Sequence, residues 1–590
     1  MFYLFLNSRK ITSNHVYYIE RDKLESGEIK MEELITPIPI GIEDFEAMIV
    51  KDYYYVDKTL MIKDLLDKKG YVNLFTRPRR FGKSLNISML QYFFDNLLVD
   101  KASIFAGLNI SKAGDRYLDH QNKYPVIKIG LKDVESDNFE EALEMLEIEL
   151  ANEFDRHRYL LNSEYVDDEQ KAVYRKILKQ EANRSQLRNS LNFLSKCLEK
   201  HYSQKVIILI DEYDVPLEKS YFAGYYPLMV KFIRGFFSSA LKTNKSLDFA
   251  VLTGCLRVSK ESIFTGLNNL NIISIISDNF GEYFGFTETE AKRALKHYGL
   301  ESKIDDLHDW YNGYLFGETI VYNPWSTIKF LDDNINGKIY SPSPHWSNTS
   351  SNEIVKNLIA ITDANVKKEI ESLIAGETII KPIKEDIVYA DILKNMDNLW
   401  SFLFFTGYLK KVSKMQIGVH NHVELSVPNK EVQYIYESQI KDWFDEKVKT
   451  TNLTPLYNAI LNREAKIFQH ELTQMLKDTI SYFDSKEEFY HGFIAAVMST
   501  MVDYITKSNR ESGNGRGDVF MRPVSIRQPA VIIEVKVAKE AKDLVKKCDK
   551  ALTQIEEKKY DDELIREGYT DIIKYGVAFY RKDCEIKLYE

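Results

Sequence analysis

Cysteine is scarce in this chain: four of 590 residues. Cys197, Cys255, Cys548 and Cys584 are scattered and have no paired ligand spacing. That argues against structural zinc and makes a reducing, cytoplasmic compartment the expectation. Long apolar runs are also missing. None approaches the ~18 residues of a membrane span, so no membrane partner is expected. The start, MFYLFLNSRK, has only a short apolar stretch with no basic residue before it, which argues against a secretory signal. An excess of positive charge is absent too. The net charge of -9 excludes a wholly basic nucleic-acid coat but leaves room for a local basic groove. No convincing repeat or low-complexity segment occurs.

What is present is a large globular chain, 44% hydrophobic and 28% charged. Its length calls for two or three domains. Residues 1–37 read as an N-terminal extension. From there to residue 285, near-continuous apolar runs alternate with helical stretches: YVNLFT (71–76), PVIKIGL (125–131), KVIILID (205–211), DFAVLTG (248–254) and NIISIIS (271–277). Strands buried on both faces of a parallel sheet read this way, so a doubly wound α/β domain is expected. Leu85, Met89, Phe93 and Leu97 recur every four residues and should face the sheet. Residues 138–200 read as a charged helical insertion. Residues 286–440 read as a helical lid ending in a winged-helix-like helix–strand–turn–strand–helix over 399–439. Helical character is expected to continue through 431–507. Residues 441–590 form the last unit, with strands at 517–523, 530–537, 574–580 and 585–590 and a Lys-rich helix at 539–559.

The stretch FTRPRRFGKSLN (75–86) carries the first constellation. Gly82, Lys83 and Ser84 end a strand-to-helix loop, where helix N–H groups can hold phosphate oxygens. Lys83 would reach the β and γ phosphates and Ser84 would bind Mg²⁺. Arg79 and Arg80 add charge beside the polyphosphate. Arg77 stands where the usual loop has glycine. VIILIDEYD supplies Asp211 as an outer Mg²⁺ ligand at a strand tip and Glu212 to activate water. Alone, that acidic end could equally be a simple turn. In LTGCLRVSK, Thr253 is placed to contact the γ phosphate, and Arg257 to act as an arginine finger or to form a surface ion pair. Arg234 is a weaker candidate for the finger. If Arg257 acts in trans the protein is a homo-oligomer; action in cis fits equally well.

These stretches, with YYVDKTLMIKDLL and WYNGYLFGETIVYNPWS, resemble the bacterial AAA-ATPase-like family over residues 38–330. The family's own loop reads Arg-Pro-Arg-Arg-Phe-Gly-Lys-Ser, so Arg77 conforms to it. The resemblance implies a P-loop ATPase of the ASCE/AAA-like kind, with ATP and Mg²⁺ as cofactors.

The second constellation lies in NGRGDVFMRP and AVIIEVKVAKE. Alternation puts Glu534 and Lys536 on one face of a strand, and a hairpin brings Asp518 beside them. Two carboxylates can hold Mg²⁺ against a phosphodiester, and Lys536 can stabilise developing charge. Gln554, on the Lys-rich helix, can orient the nucleophile or a phosphate. A plain solvent-facing charge pair is the competing reading of Glu-x-Lys.

The pattern resembles the PD-(D/E)XK nuclease superfamily, with Gly517 in place of the proline. The resemblance implies a restriction-endonuclease-like α/β domain, Mg²⁺ or Mn²⁺ as cofactor and nucleic acid as partner, DNA ahead of RNA. KEEFYHGF (486–493) resembles the domain's first helix, where Glu487 and His491 share a face and would supply further metal ligands. The combined expectation is an ATP-regulated nuclease. The alternative is a nucleotide-dependent switch whose nuclease-like domain only binds nucleic acid or a protein.

Overall fold

The computed structural model describes residues 36–257, 263–264, 269–335, 341–346, 364–385, 387, 389–392, 396–417, 420–438, 452–479, 487–512 and 515–589. Most of the N-terminal extension therefore lies outside the described residues. The chain forms two units, one of residues 1–352 with 380–433, the other of 353–379 with 434–590. No helix among the described residues is long and apolar enough to cross a membrane.

The first unit is built on a parallel sheet of β1 (Val72–Thr76), β2 (Val126–Gly130), β3 (Val206–Asp211), β4 (Leu247–Gly254) and β5 (Leu270–Ile273), in the order β2-β3-β4-β1-β5. The apolar runs become these strands because helices cover both faces: β1 is buried throughout, and β3 in all but its last residue. NIISIIS is a shorter strand than expected, turning after Ile273. Helix Lys83–Phe94 follows β1, with Met89 and Phe93 fully buried. Leu97 lies beyond that helix, because the chain breaks at Asp95 into a 3-10 segment. The charged insertion is helical at Phe139–Arg156, Asp168–Leu178 and Arg184–Tyr202. Asp167 and Asn183 form capping boxes with Gln170 and Gln186, which explains why these polar segments start where they do.

The region expected to be mostly helical also holds a small antiparallel sheet of β6 (Phe286–Thr287), β7 (Tyr314–Phe316) and β8 (Thr319–Tyr322). Its strands are too short to show a period. β9 (Ile379–Pro382) joins β10 (Lys410–Ile417) and β11 (His420–Ser426), the expected hairpin, between helix Met396–Phe405 and a helix over 430–438.

Glu431, on that last helix, is fully buried. It accepts from Ser326 Oγ at 2.8 Å and from the Trp346 N–H at 2.8 Å. Burial pushes its carboxyl up to about 8, from an ordinary 4.5. The folded chain thus keeps a proton that the unfolded chain gives up near pH 4.5. This contribution to stability is greatest at low pH, falls as pH rises towards 8, and is fully lost above that. Thermal midpoints at pH 6 and pH 9 test this: the drop between them should be smaller in Glu431→Gln than in the wild type.

The second unit carries β12 (Tyr504–Ser512), β13 (Gly515–Pro523), β14 (Ala530–Val537), β15 (Ile572–Tyr580) and β16 (Asp583–Leu588), in sequential order. Only β14 and β15 pair in parallel. β12 corrects the expectation of helix through residue 507. It is a polar edge strand paired to β13, so its segment lacks the apolar pattern that announces a strand. Period-two alternation then divides the side chains. Val519, Val531, Ile533 and Val535 pack with Phe468, Ile494 and others from the preceding helices. Phe520, Ala530 and Ile532 pack with Ile555, Tyr560 and Leu564 on the opposite face. Glu534 and Lys536 continue this second face.

Candidate functional sites

In the first unit, the chain leaves β1 and turns through Arg80 (φ 69°) and Gly82 (φ 77°) before helix Lys83–Phe94 begins. Two successive-but-one left-handed residues curl the loop over the helix N-terminus. Arg77 is fully buried beneath it. Its guanidinium donates to the carbonyls of Thr76 (2.9 Å) and Ile273 (2.8 Å) and lies over the rings of Phe284 and Phe316. The residue in the usual glycine's place is therefore a staple that locks the loop's first turn to β5.

Lys83 is 5% exposed, its ammonium donating to the carbonyls of Arg77 (3.1 Å) and Pro78 (2.9 Å) and lying 3.6 Å from Cys255 Sγ. Beside it is a cavity of about 410 Å³ whose lining includes Arg79, Arg80, Gly82, Lys83, Ser84 and Glu212. The structure thus gathers six of the residues read from the two motifs. The lining also includes Tyr54, Phe286, Trp325 and Ile328. Arg80 stacks 4.5 Å from the Trp325 ring. Apolar rings and a cationic loop lining one cavity suit a nucleotide, which presents both a base and phosphates. Tyr54 and Trp325 lie in two of the stretches that carry the family resemblance, but none of the four was singled out as a site residue from the sequence.

At the strand tips, Asp211 accepts from Thr253 Oγ1 and from the Glu212 N–H. Glu212 adopts a left-handed φ of 52°, a strained conformation for a side chain of this size. Burial raises its carboxyl above the ordinary range, with Lys83 opposing and Asp211 reinforcing the rise. A raised carboxylate facing the cavity is suited to accept a proton from water. Asp214, 2% exposed, instead accepts from the Cys255 and Leu256 N–H groups and so shapes the end of β4. Burial pushes the Cys255 thiol up to about 11, which fits a packing role. Arg257 lies 3.7 Å from Glu385 and is not among the residues lining the cavity. Asp57 accepts from the Thr59 N–H at 2.9 Å and the Asn109 N–H at 2.7 Å, so it orders the turn before helix Leu60–Lys68 and does not cap the helix itself.

In the second unit, the β13–β14 register continued one step beyond Val519–Ile533 sets Asp518 opposite Glu534. Two bonds hold these carboxylates: the Asp518 N–H donates to Glu534 Oε2 at 3.3 Å, and the N–H of the neighbouring Val535 to Asp518 Oδ2 at 2.8 Å. Lys536 Nζ donates to Glu534 Oε1 at 2.9 Å. Helix Leu544–Lys558 lies close against β15 because Gly576 has no side chain: a Cβ there would be 2.6 Å from the Cys548 carbonyl oxygen. That approach brings Gln554 to Glu534 Oε1, with Tyr560 Oη 3.0 Å from the same amide nitrogen. Gln554 is thus a carboxylate-holding residue in this arrangement. Glu534 is only 1% exposed, and burial, with Asp518 adding to it, pushes its carboxyl up to about 7. Two facing carboxylates, one buried and reluctant to ionise, form a donor set that a divalent cation would satisfy.

Two other expected ligands stand differently. His491 Nε2 donates to the Asp518 carbonyl at 2.8 Å, so that nitrogen is engaged with the backbone. Glu487 opens helix Glu487–Ser499, and its side chain lies outside the described residues. Among the described residues, no group of three or more His, Cys, Asp or Glu could hold a metal ion. Asp518 and Glu534 are two facing carboxylates, one short of such a group.

Comparison with known proteins follows the same division. Residues 39–264 match the predicted AAA-ATPase family, and residues 485–588 the PD-(D/E)XK nuclease superfamily. An uncharacterised protein in the vnfD 5' region of Azotobacter chroococcum is 25% identical over 558 residues, covering 92% of this chain and 96% of that protein. The chain thus joins a AAA-ATPase-like domain to a C-terminal domain of the PD-(D/E)XK nuclease superfamily.

Proposed function

We propose that the protein is an ATP-regulated nuclease. The observation that carries this reading is the facing pair Asp518 and Glu534 with Lys536 attached, on the same chain as a phosphate-binding loop. In the nuclease site, Asp518 and Glu534 would hold Mg²⁺ or Mn²⁺, with Glu487 joining them from the preceding helix and His491 steadying Asp518. The cation supplies the charge that polarises a phosphodiester and acidifies bound water. Lys536 stabilises negative charge developing on the phosphate, and Gln554 orients the carboxylate. In the ATPase site, Lys83, Arg79, Arg80 and the N–H groups at Gly82–Ser84 hold the phosphates, Ser84 and Asp211 serve Mg²⁺, and Glu212 takes a proton from water. Thr253 keeps Asp211 oriented. Arg257 reaches the nucleotide only after leaving Glu385. Residues 286–440 act as lid and relay, and the substrate is DNA before RNA.

The test is direct. Purified protein is incubated with single- and double-stranded DNA and RNA, with Mg²⁺ or Mn²⁺, with and without ATP. Cleavage that needs metal, is lost in Asp518→Ala and changes with ATP is the expected result. Tight nucleic-acid binding without cleavage of any substrate would instead establish a nucleotide-dependent binding switch.

A further inference from the structure

Arg79 is among the residues lining the cavity and is paired with Glu218, which a tyrosine hydroxyl also meets. Its Nη2 sits 2.5 Å from Glu218 Oε1. Tyr389 donates its hydroxyl to the other oxygen, Glu218 Oε2, at 3.0 Å. The group is well shielded: the Glu218 side chain is 7% exposed and Tyr389 not at all. Lys83 Nζ is 3.6 Å from the sulfur of Cys255, just past the end of β4. Arg79, in the loop, and Lys83, at the helix start, both line the cavity. Tyr389 comes from a different part of the unit, ahead of helix Met396–Phe405, and it also packs against Tyr221, 6.2 Å between ring centres.

We infer that Arg79 reads the third phosphate of the nucleotide and that Glu218 and Tyr389 hold it back until that phosphate arrives. The inference rests on the ATP-site reading above and adds which phosphate is sensed and where the signal goes. A buried carboxylate that loses its arginine is costly unless another donor remains. Tyr389 is that donor. A diphosphate, already matched by Lys83 and the loop N–H groups, offers Arg79 too little to leave. A triphosphate brings further charge within its reach and draws it across. Glu218 then depends on Tyr389 alone, so the segment carrying Tyr389 feels whether the third phosphate is present.

The sign of each substitution follows. Glu218→Gln removes the charge that restrains Arg79, so preference for a non-hydrolysable ATP analogue over ADP should rise about tenfold. Tyr389→Phe strands Glu218 when Arg79 leaves, so that preference should fall. ADP affinity should change little in either variant, which also reports that the site is folded. In the wild type, the ATP analogue but not ADP should change amide hydrogen exchange in the peptide that carries Tyr389. Unchanged ATP-to-ADP preference in both variants, with ADP still bound through Lys83, would overturn this inference and leave the ATP site standing. A wild-type protein that binds neither nucleotide would overturn both.

Discussion

Glu534→Gln is expected to reduce metal-dependent cleavage by roughly 10²–10³-fold while leaving ATP binding unchanged. The substitution keeps the size of the side chain and removes its charge. Glutamine can still accept from the Asp518 N–H that glutamate accepts from at 3.3 Å, but it cannot offer a second anionic ligand to a cation. A second readout separates this from misfolding. Without metal, the raised Glu534 carboxyl retains a proton that the unfolded chain releases near pH 4.5. Its contribution to stability falls as pH rises from there to about 7 and is lost above. At pH 8 the metal-free variant should therefore melt at or above the wild-type temperature. Mn²⁺ should raise the melting temperature of the wild type and not that of the variant, because a ligand bound only by the folded state stabilises it by mass action. Full cleavage by Glu534→Gln would place the chemistry elsewhere.

Lys83→Ala is expected to weaken ATP binding about 100-fold and to abolish any response of cleavage to ATP. Lys83 is poised for exchange. Its ammonium now rests on two loop carbonyls, at 3.1 and 2.9 Å, and a phosphate oxygen is a stronger acceptor than either. Its loss also leaves the Arg77 and Pro78 carbonyls without that donor, so a fall of ~1–2 kcal/mol in stability should accompany it. Isothermal titration and thermal unfolding check the two effects separately. Basal metal-dependent cleavage that persists without ATP response would assign Lys83 to regulation alone. Wild-type affinity in Lys83→Ala would refute the loop as the nucleotide site.

Much of the candidate chemistry was legible because it depends on short-range pattern. A strand, a loop ending Gly82-Lys83-Ser84 and a helix are local, and so is the alternation that sets Glu534 and Lys536 on one face. Asp518 was within reach because one hairpin joins it to Glu534. Arg77 was legible only in part: the resemblance marked it as normal for the loop, while its stapling to Ile273 and its stacking on Phe316 needed the fold. The start of β12, 504–507, was read as helix and the rest left unassigned, because an edge strand with polar residues shows no apolar alternation. Nothing in the sequence announced Trp325 on the cavity wall or Tyr389 behind Arg79.

By itself, then, the sequence determined the strands of the two five-stranded sheets that are apolar enough to be buried, the candidate phosphate-loop residues and the Asp518, Glu534, Lys536 set, because hydrophobic period and hairpin reach act over a few residues. Tertiary structure alone decided which nitrogen of His491 faces the Asp518 carbonyl, that Arg257 lies beside Glu385, and that Glu218 stands between Arg79 and Tyr389. Those are contacts between side chains far apart in the chain. Packing and desolvation select them, and both operate only once the sheets and helices have been assembled.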